Sequence, residues 1–150
     1  MKSLLLSLLT LLALRLCLVS IPANAVQPKE PPLMCGDLLS EMKLQRSDIE
    51  FVRCEYQSGD GADGLKATYR VAGKDILNVE NWLIRSAGVM RLRFACCGWE
   101  TSDGVIKDRK GSTYYIGMGG EAYFDGHMYD TRKELTRMPY INLYVTHYFY

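Results

Sequence analysis

The chain has little of what most enzymes and nucleic-acid binders need. Its 150 residues hold two histidines, His127 and His147. No Gly-x-Ser-x-Gly, no His-Glu-x-x-His and no phosphate-cradling glycine loop is present. The common motifs of acyl transfer, zinc hydrolysis and nucleotide chemistry are therefore missing. No Cys-x-x-Cys spacing occurs, which removes the usual dithiol redox motif. Charge of one sign is also lacking: 18 basic and 17 acidic residues leave a formal net charge of +1. The small clusters Arg91/Arg93 and Lys107/Arg109/Lys110 have acids close by, so no nucleic-acid partner is expected. Asp60 and Asp63 do not follow the ligand spacing of a calcium loop, and a hairpin turn accounts for them. Gly117-Met118-Gly119-Gly120-Glu121 is not followed by a helix pattern, so it reads as a strand end or bulge and not as a dinucleotide site. No metal and no cofactor are expected.

One long apolar run is present, at the start. Met1-Lys2 precede an apolar stretch from Ser3 to Ser20, which Ile21-Pro22 break before the small-x-small triplet Ala23-Asn24-Ala25. This is the pattern of a signal peptide cleaved after Ala25, and it predicts export to a bacterial periplasm. Arg15 interrupts the run, which argues against a retained anchor, and bulky Leu16 before Cys17 argues against a lipoprotein. No stable membrane insertion is expected after cleavage. Losing Lys2 and Arg15 leaves 16 basic against 17 acidic residues, a balance of −1. Prolines and charges make residues 26–33 an extended tether. Residues 34–150 are then one domain with a modest core and no internal repeat.

Beyond the leader stand Cys35, Cys54, Cys96 and Cys97, an even number that favours disulfides in an exported protein. Of three pairings, one joins Cys35 to Cys54 and forces Cys96 onto its own neighbour in a small ring. The other two join Cys35 and Cys54 each to one member of the Cys96-Cys97 pair, and these are the preferred expectation. Neighbouring residues on a strand point to opposite faces, so each could reach a different partner. Such links would close loops of roughly 40 to 60 residues, each worth on the order of 3–4 kcal/mol. A partly free thiol, a zinc site recruiting His127 or His147, and redox chemistry are the alternatives.

Hydrophobic periodicity predicts an α+β domain of order αββαβββ, an antiparallel sheet of about five strands with two helices packed on one face. Leu38, Leu39, Met42 and Leu44 suggest a first helix after Asp37. Ile49–Tyr56 and Leu65–Val71 read as a hairpin around a glycine-rich turn. Asp75 is placed to cap a helix carrying Ile76, Val79, Leu83 and Ile84, and Gly88 to end it. Strands are predicted over 92–97, 113–118 and 141–149, with a polar loop over 101–111 and a brief helical turn before Pro139. The aromatic C-terminus, Tyr148-Phe149-Tyr150, is also seen in outer-membrane barrels, but a chain with two helices is too short for eight membrane strands.

Candidate functional residues are few. Trp99 and Glu100, in Cys96-Cys97-Gly98-Trp99-Glu100, could anchor and rim a partner site together with Tyr123 and Tyr129. The competing interpretation, which we favour, is a disulfide knot capped by a buried tryptophan. Either histidine could act as a base if Glu80, Glu100 or Asp125 stood beside it; exposed, non-catalytic histidines are the simpler expectation.

Several segments together resemble a known family. They are Cys35-Gly36-Asp37-Leu38-Leu39, Phe51-x-x-Cys54, Ala67-x-Tyr69-x-Val71-x-Gly73 and Val79-Glu80-x-x-Leu83, followed by Cys96-Cys97-Gly98-Trp99-Glu100, Tyr115-Ile116-x-Met118 and Tyr144-Val145-x-x-Tyr148. With them the chain resembles domain-of-unknown-function family 4952, small exported bacterial proteins without an assigned activity. The resemblance implies an envelope protein and carries over no catalytic residue. The expected function is a non-catalytic domain that binds a periplasmic protein partner, of the immunity or inhibitor kind, through a sheet edge or the loops near Trp99 and Tyr123–Tyr129. The alternatives are an envelope accessory protein binding a cell-wall component or small ligand and, third, an enzyme of unfamiliar type.

Overall fold

A computed structural model describes residues 34–58 and 62–149. The expected leader and tether lie outside the described residues. The chain runs through α1 (Leu38–Glu41), β1 (Glu50–Gln57), β2 (Gly64–Ala72), α2 (Ile76–Ala87), β3 (Arg93–Ala95) and β4 (Gly98–Glu100). It continues through β5 (Gly104–Lys107), β6 (Thr113–Glu121), β7 (Tyr123–Phe124), β8 (His127–Met128) and β9 (Tyr140–Tyr148). Seven strands form one antiparallel sheet in the order β1-β2-β9-β6-β4-β3, with β5 pairing the same edge of β6 further along. β7 and β8 make a separate small hairpin. The α+β class is as expected, with a mostly antiparallel sheet and two helices.

Strand count and order differ from expectation, for local reasons. The predicted strand over 92–97 breaks after Ala95, because Cys96 takes a left-handed backbone (φ 56°) and reverses the chain into β4. The predicted loop over 101–111 contains β5, whose Gly104 and Ile106 are buried against β6. The Gly117–Glu121 stretch continues β6 to its end. Helix α1 is a single turn. Asp75 makes no side-chain cap; the 3-10 turn Gly73–Asp75 leads into α2 instead, and Gly88 (φ 71°) closes it as expected. The helical turn before Pro139 is a 3-10 turn, Leu135–Arg137.

Helix α2 buries Ile76, Val79 and Leu83 over β2, β5 and β6. The strand residues facing it are Leu65, Ala67, Tyr69 and Val71, Ile141, Leu143 and Val145, and Ile116 and Met118. Burial of each such aliphatic side chain contributes about 1.5–3 kcal/mol. Helix α1 is tied to this face by a polar knot. Tyr69, 1% exposed, donates its hydroxyl proton to Asp37 Oδ1 (2.9 Å) and accepts the Leu39 N–H (2.9 Å). Asp37 Oδ1 also takes the Ser40 N–H at 3.1 Å and so caps α1. Burial pushes the Tyr69 hydroxyl far above the ordinary tyrosine range, so it stays a donor.

Cys35 is bonded to Cys54, with Cα atoms 5.4 Å apart, and Cys96 and Cys97 are free. This corrects the preferred pairing. β1 is one edge of the sheet and the β3–β4 turn is the other, four to five strand spacings away, or roughly 20 Å at about 4.8 Å per strand. A disulfide spans about 5.5 Å between Cα atoms, so neither Cys35 nor Cys54 can meet the pair. The bridge closes a separation of 19 residues, worth about 3 kcal/mol by loop entropy.

Candidate functional site

Strand alternation that fills one face with aliphatic residues puts a different set on the other. β2 presents Lys66, Thr68 and Arg70; β9 presents Tyr140, Asn142, Tyr144, Thr146 and Tyr148; β6 presents Tyr115, Gly117 and Gly119. The tyrosines are half-buried, and no helix among the described residues packs over them. The Lys66 ammonium lies 4.6 Å from the Tyr144 ring centre and the Arg70 guanidinium 4.3 Å from that of Tyr140. Both are within the range of cation–π contacts. Tyr115 and Tyr148 meet edge to face at 5.5 Å.

Gly117 forms the floor of a shallow depression beside Tyr144. A Cβ there would come within 3.2 Å of both Asp103 Oδ1 and Thr101 Oγ1, so these two side chains already lean over the strand. Thr101 is pinned by its backbone N–H to Met118 O (2.9 Å) and by its hydroxyl, which accepts the Met118 N–H (2.9 Å). The depression holds about 270 Å³ between Thr101, Asp103, Tyr115, Thr146 and Tyr148. A neighbour of about 280 Å³ lies between Glu121, Phe124, Tyr140 and Asn142, and Tyr144 walls both. The face therefore runs from cations on β2, across tyrosines, to the acids Glu100, Asp103 and Glu121. Chemically it offers flat rings, hydroxyl donors and ordered charge. The depressions contain no nucleophile paired with a base.

Of the residues expected to bind, Glu100 lies at the acidic margin of this face and the other three lie off it. Trp99 is 4% exposed, packs edge to face on Phe94 and donates its indole N–H to Tyr129 O at 2.6 Å. Its indole is core, and this removes it as a surface anchor. Glu100 is exposed and paired with Arg93 at 2.7 Å. Tyr123 is exposed on the β7–β8 hairpin, and Tyr129 is half-buried beside Phe124 and His127.

Neither histidine has the neighbour proposed from sequence. His127 Nε2 lies 3.0 Å from Glu134 Oε1, whose second oxygen accepts the Thr131 hydroxyl at 3.1 Å. These bonds hold the Glu134 carboxyl below the ordinary glutamate range, the His127 contact contributing most. The signal was present as Thr131-x-x-Glu134, the spacing of a capping box. His127 is exposed and Glu134 half-buried, and the pair borders neither depression. His147 is held by Thr113 O at 2.9 Å and lies against Tyr114. Glu80, 2% exposed on α2, is committed to structure. Arg132 grips it through Nη2 to Oε2 (2.7 Å) and Nη1 to Oε1 (3.1 Å), and the Leu92 N–H donates to Oε1 at 2.6 Å.

The free cysteines occupy the β3–β4 turn, both exposed, with their sulfurs 3.2 Å apart in a thiol–thiol hydrogen bond. That bond pushes the Cys97 thiol up, and the charges on Cys96 and Glu121 add to it. Among the described residues, no cluster of three or more His, Cys, Asp or Glu is arranged to hold a metal, and no helix is long and apolar enough to cross a membrane.

Neither the curated proteins nor the solved structures contain a match to this chain. The model of a domain of unknown function, DUF4952, matches residues 23–99, from before α1 to Trp99 on β4. That is just over half of the chain, and the protein belongs to this family.

Proposed function

We propose that this protein is an exported, non-catalytic binding domain that engages a periplasmic protein through the open face of its sheet, in the manner of an immunity or inhibitor protein. The observation that carries this reading is the row Tyr115, Tyr140, Tyr144 and Tyr148, with Lys66 over Tyr144 and Arg70 over Tyr140, on a face that no described helix covers. Tyrosine and arginine are the residues interfaces use most, because they combine a large apolar area with a polar tip. The order of charge fits a partner that inserts an apolar side chain between an acidic flank, facing Lys66 and Arg70, and a basic flank, facing Asp103 and Glu121. The test is capture from the native periplasm with the exported chain and with its Tyr144→Ala variant. One stoichiometric protein partner should be retained by the parent and by Tyr123→Ala, and weakened at least tenfold by Tyr144→Ala. Equal retention by Tyr144→Ala and the parent, or no partner at all, would sink the proposal.

A second reading rests on a separate observation. The 270 Å³ depression sets Asp103 and Thr101 against tyrosine rings, an arrangement that suits a cell-wall fragment or other small polar ligand. Titration with soluble cell-wall fragments, followed by tyrosine fluorescence, distinguishes the two. A saturable change lost in Asp103→Ala favours the small ligand; no change leaves the protein partner.

A further inference from the structure

The Cys96-Cys97 pair is explained neither by the core nor by the open face. On a regular strand the two side chains would point to opposite sides. Here Cys96 adopts a left-handed backbone (φ 56°), a conformation unfavourable for a residue with a Cβ, and both sulfurs come to the same side of the turn. They lie 3.2 Å apart, both exposed, at the tip of the edge hairpin farthest along the sheet from β1. Cys35 and Cys54 are already bonded to each other, so among the described residues the only thiol within reach of each is its neighbour. A structural zinc ion takes four ligands, and among the described residues no third His, Cys, Asp or Glu joins the pair.

We propose that Cys96-Cys97 is a thiol–disulfide exchange site that reduces an external disulfide, on a small thiol or on a protein, by closing to a vicinal disulfide. In the first step the thiolate of one cysteine attacks a sulfur of the external disulfide. That S–S bond breaks, one thiolate leaves and takes up a proton, and a mixed disulfide remains on the turn. In the second step the neighbouring cysteine, as thiolate, attacks the protein-side sulfur. The Cys96–Cys97 bond forms and the second external thiolate leaves. Two cysteine thiols have been oxidised and one external disulfide has become two thiols. The second step needs an approach of only about 1.2 Å, from 3.2 Å to a bond length near 2.04 Å. No segment of the fold has to move to bring a resolving thiol to the site.

Glutathione disulfide is a suitable probe, with intact mass and alkylation counting on the exported chain and peptide mapping of the product. Both thiols of the parent should disappear together, with a mass loss of two hydrogens, no lasting glutathione adduct and full recovery on reduction. Cys97→Ser and Cys96→Ser should each stop at a stable single glutathione adduct. A turn-surface substitution of this kind leaves the core intact, and an unchanged melting curve verifies it. A lasting adduct on the parent, a disulfide-linked dimer, or thiols that do not react at all would each overturn the proposal.

Discussion

The two faces of the central sheet are written by the same strands yet obey different rules. On β2, Leu65, Ala67, Tyr69 and Val71 are at most 1% exposed, while Lys66 and Arg70 between them reach out to tyrosine rings. On β9, Leu143 lies under the covered face and its neighbour Tyr144 walls both depressions of the open one. The covered face carries apolar volume and a polar knot at Tyr69 whose groups are satisfied. The open face contains Thr68, 4% exposed, whose hydroxyl oxygen has no hydrogen-bond partner. The contrast separates residues that make the fold from residues free to serve a partner.

The largest test of that separation is a pair of adjacent substitutions. Leu143→Ala should cost about 2–5 kcal/mol in denaturant unfolding, as expected for a cavity in a packed core. Tyr144→Ala should cost less than about 1 kcal/mol while removing partner binding. Comparable losses of stability would make the open face part of the core and break the comparison. Arg132→Ala comes next. It leaves the buried Glu80 carboxylate with the Leu92 N–H as its remaining contact here, and about 2 kcal/mol should be lost, less than for a fully buried pair because the Arg132 side chain is 41% exposed. Arg132→Lys should recover only part, since a lysine cannot make the two-pronged contact.

The effect of pH is smaller and has a definite sign. Asp48 accepts hydrogen bonds from Arg46 (2.8 and 2.6 Å) and from Asn78 of α2 (2.8 Å), and the Arg46 contact, foremost, holds its carboxyl below the ordinary value of 3.8. A depressed carboxyl stabilises the fold fully above the unfolded pKa and loses that contribution as pH falls through the folded one. The stability gap between the parent and Asp48→Asn should be constant above about pH 5 and shrink below 3.8. The smallest effect is a gain. Thr68→Val removes an unpartnered buried hydroxyl and should stabilise the protein by up to about 1 kcal/mol, read as a raised melting temperature.

Much of the covered face could be read from periodicity. β2 and β9 alternate cleanly, and α2 shows its apolar stripe and the glycine that ends it. β5 was hidden because four residues in a polar stretch are too few for a pattern. The break at Cys96 depends on one backbone angle, which side-chain alternation does not encode. The disulfide pairing depends on strand order, and the order β1-β2-β9-β6 joins strands far apart in the chain. For the same reason the sequence does not group the open-face tyrosines; Tyr115 meets Tyr148 only because β6 pairs with β9. Glu80 looked available to a histidine because its true partner, Arg132, is 52 residues away. The segments that carry the family resemblance coincide in part with the structural knot of Cys35, Asp37, Leu39, Cys54 and Tyr69, so they speak more of the fold than of its use.

The central claim is that the open face is the partner's footprint. Mild iodination followed by mass spectrometry, with and without the captured partner, compares every tyrosine in one experiment. Protection of Tyr115, Tyr140, Tyr144 and Tyr148, with Tyr56 and Tyr123 (63% and 56% exposed) still reacting, is the expected result. Protection of Tyr123 and Tyr129, with the four open-face tyrosines unchanged, would contradict the account and move the interface to the β7–β8 hairpin.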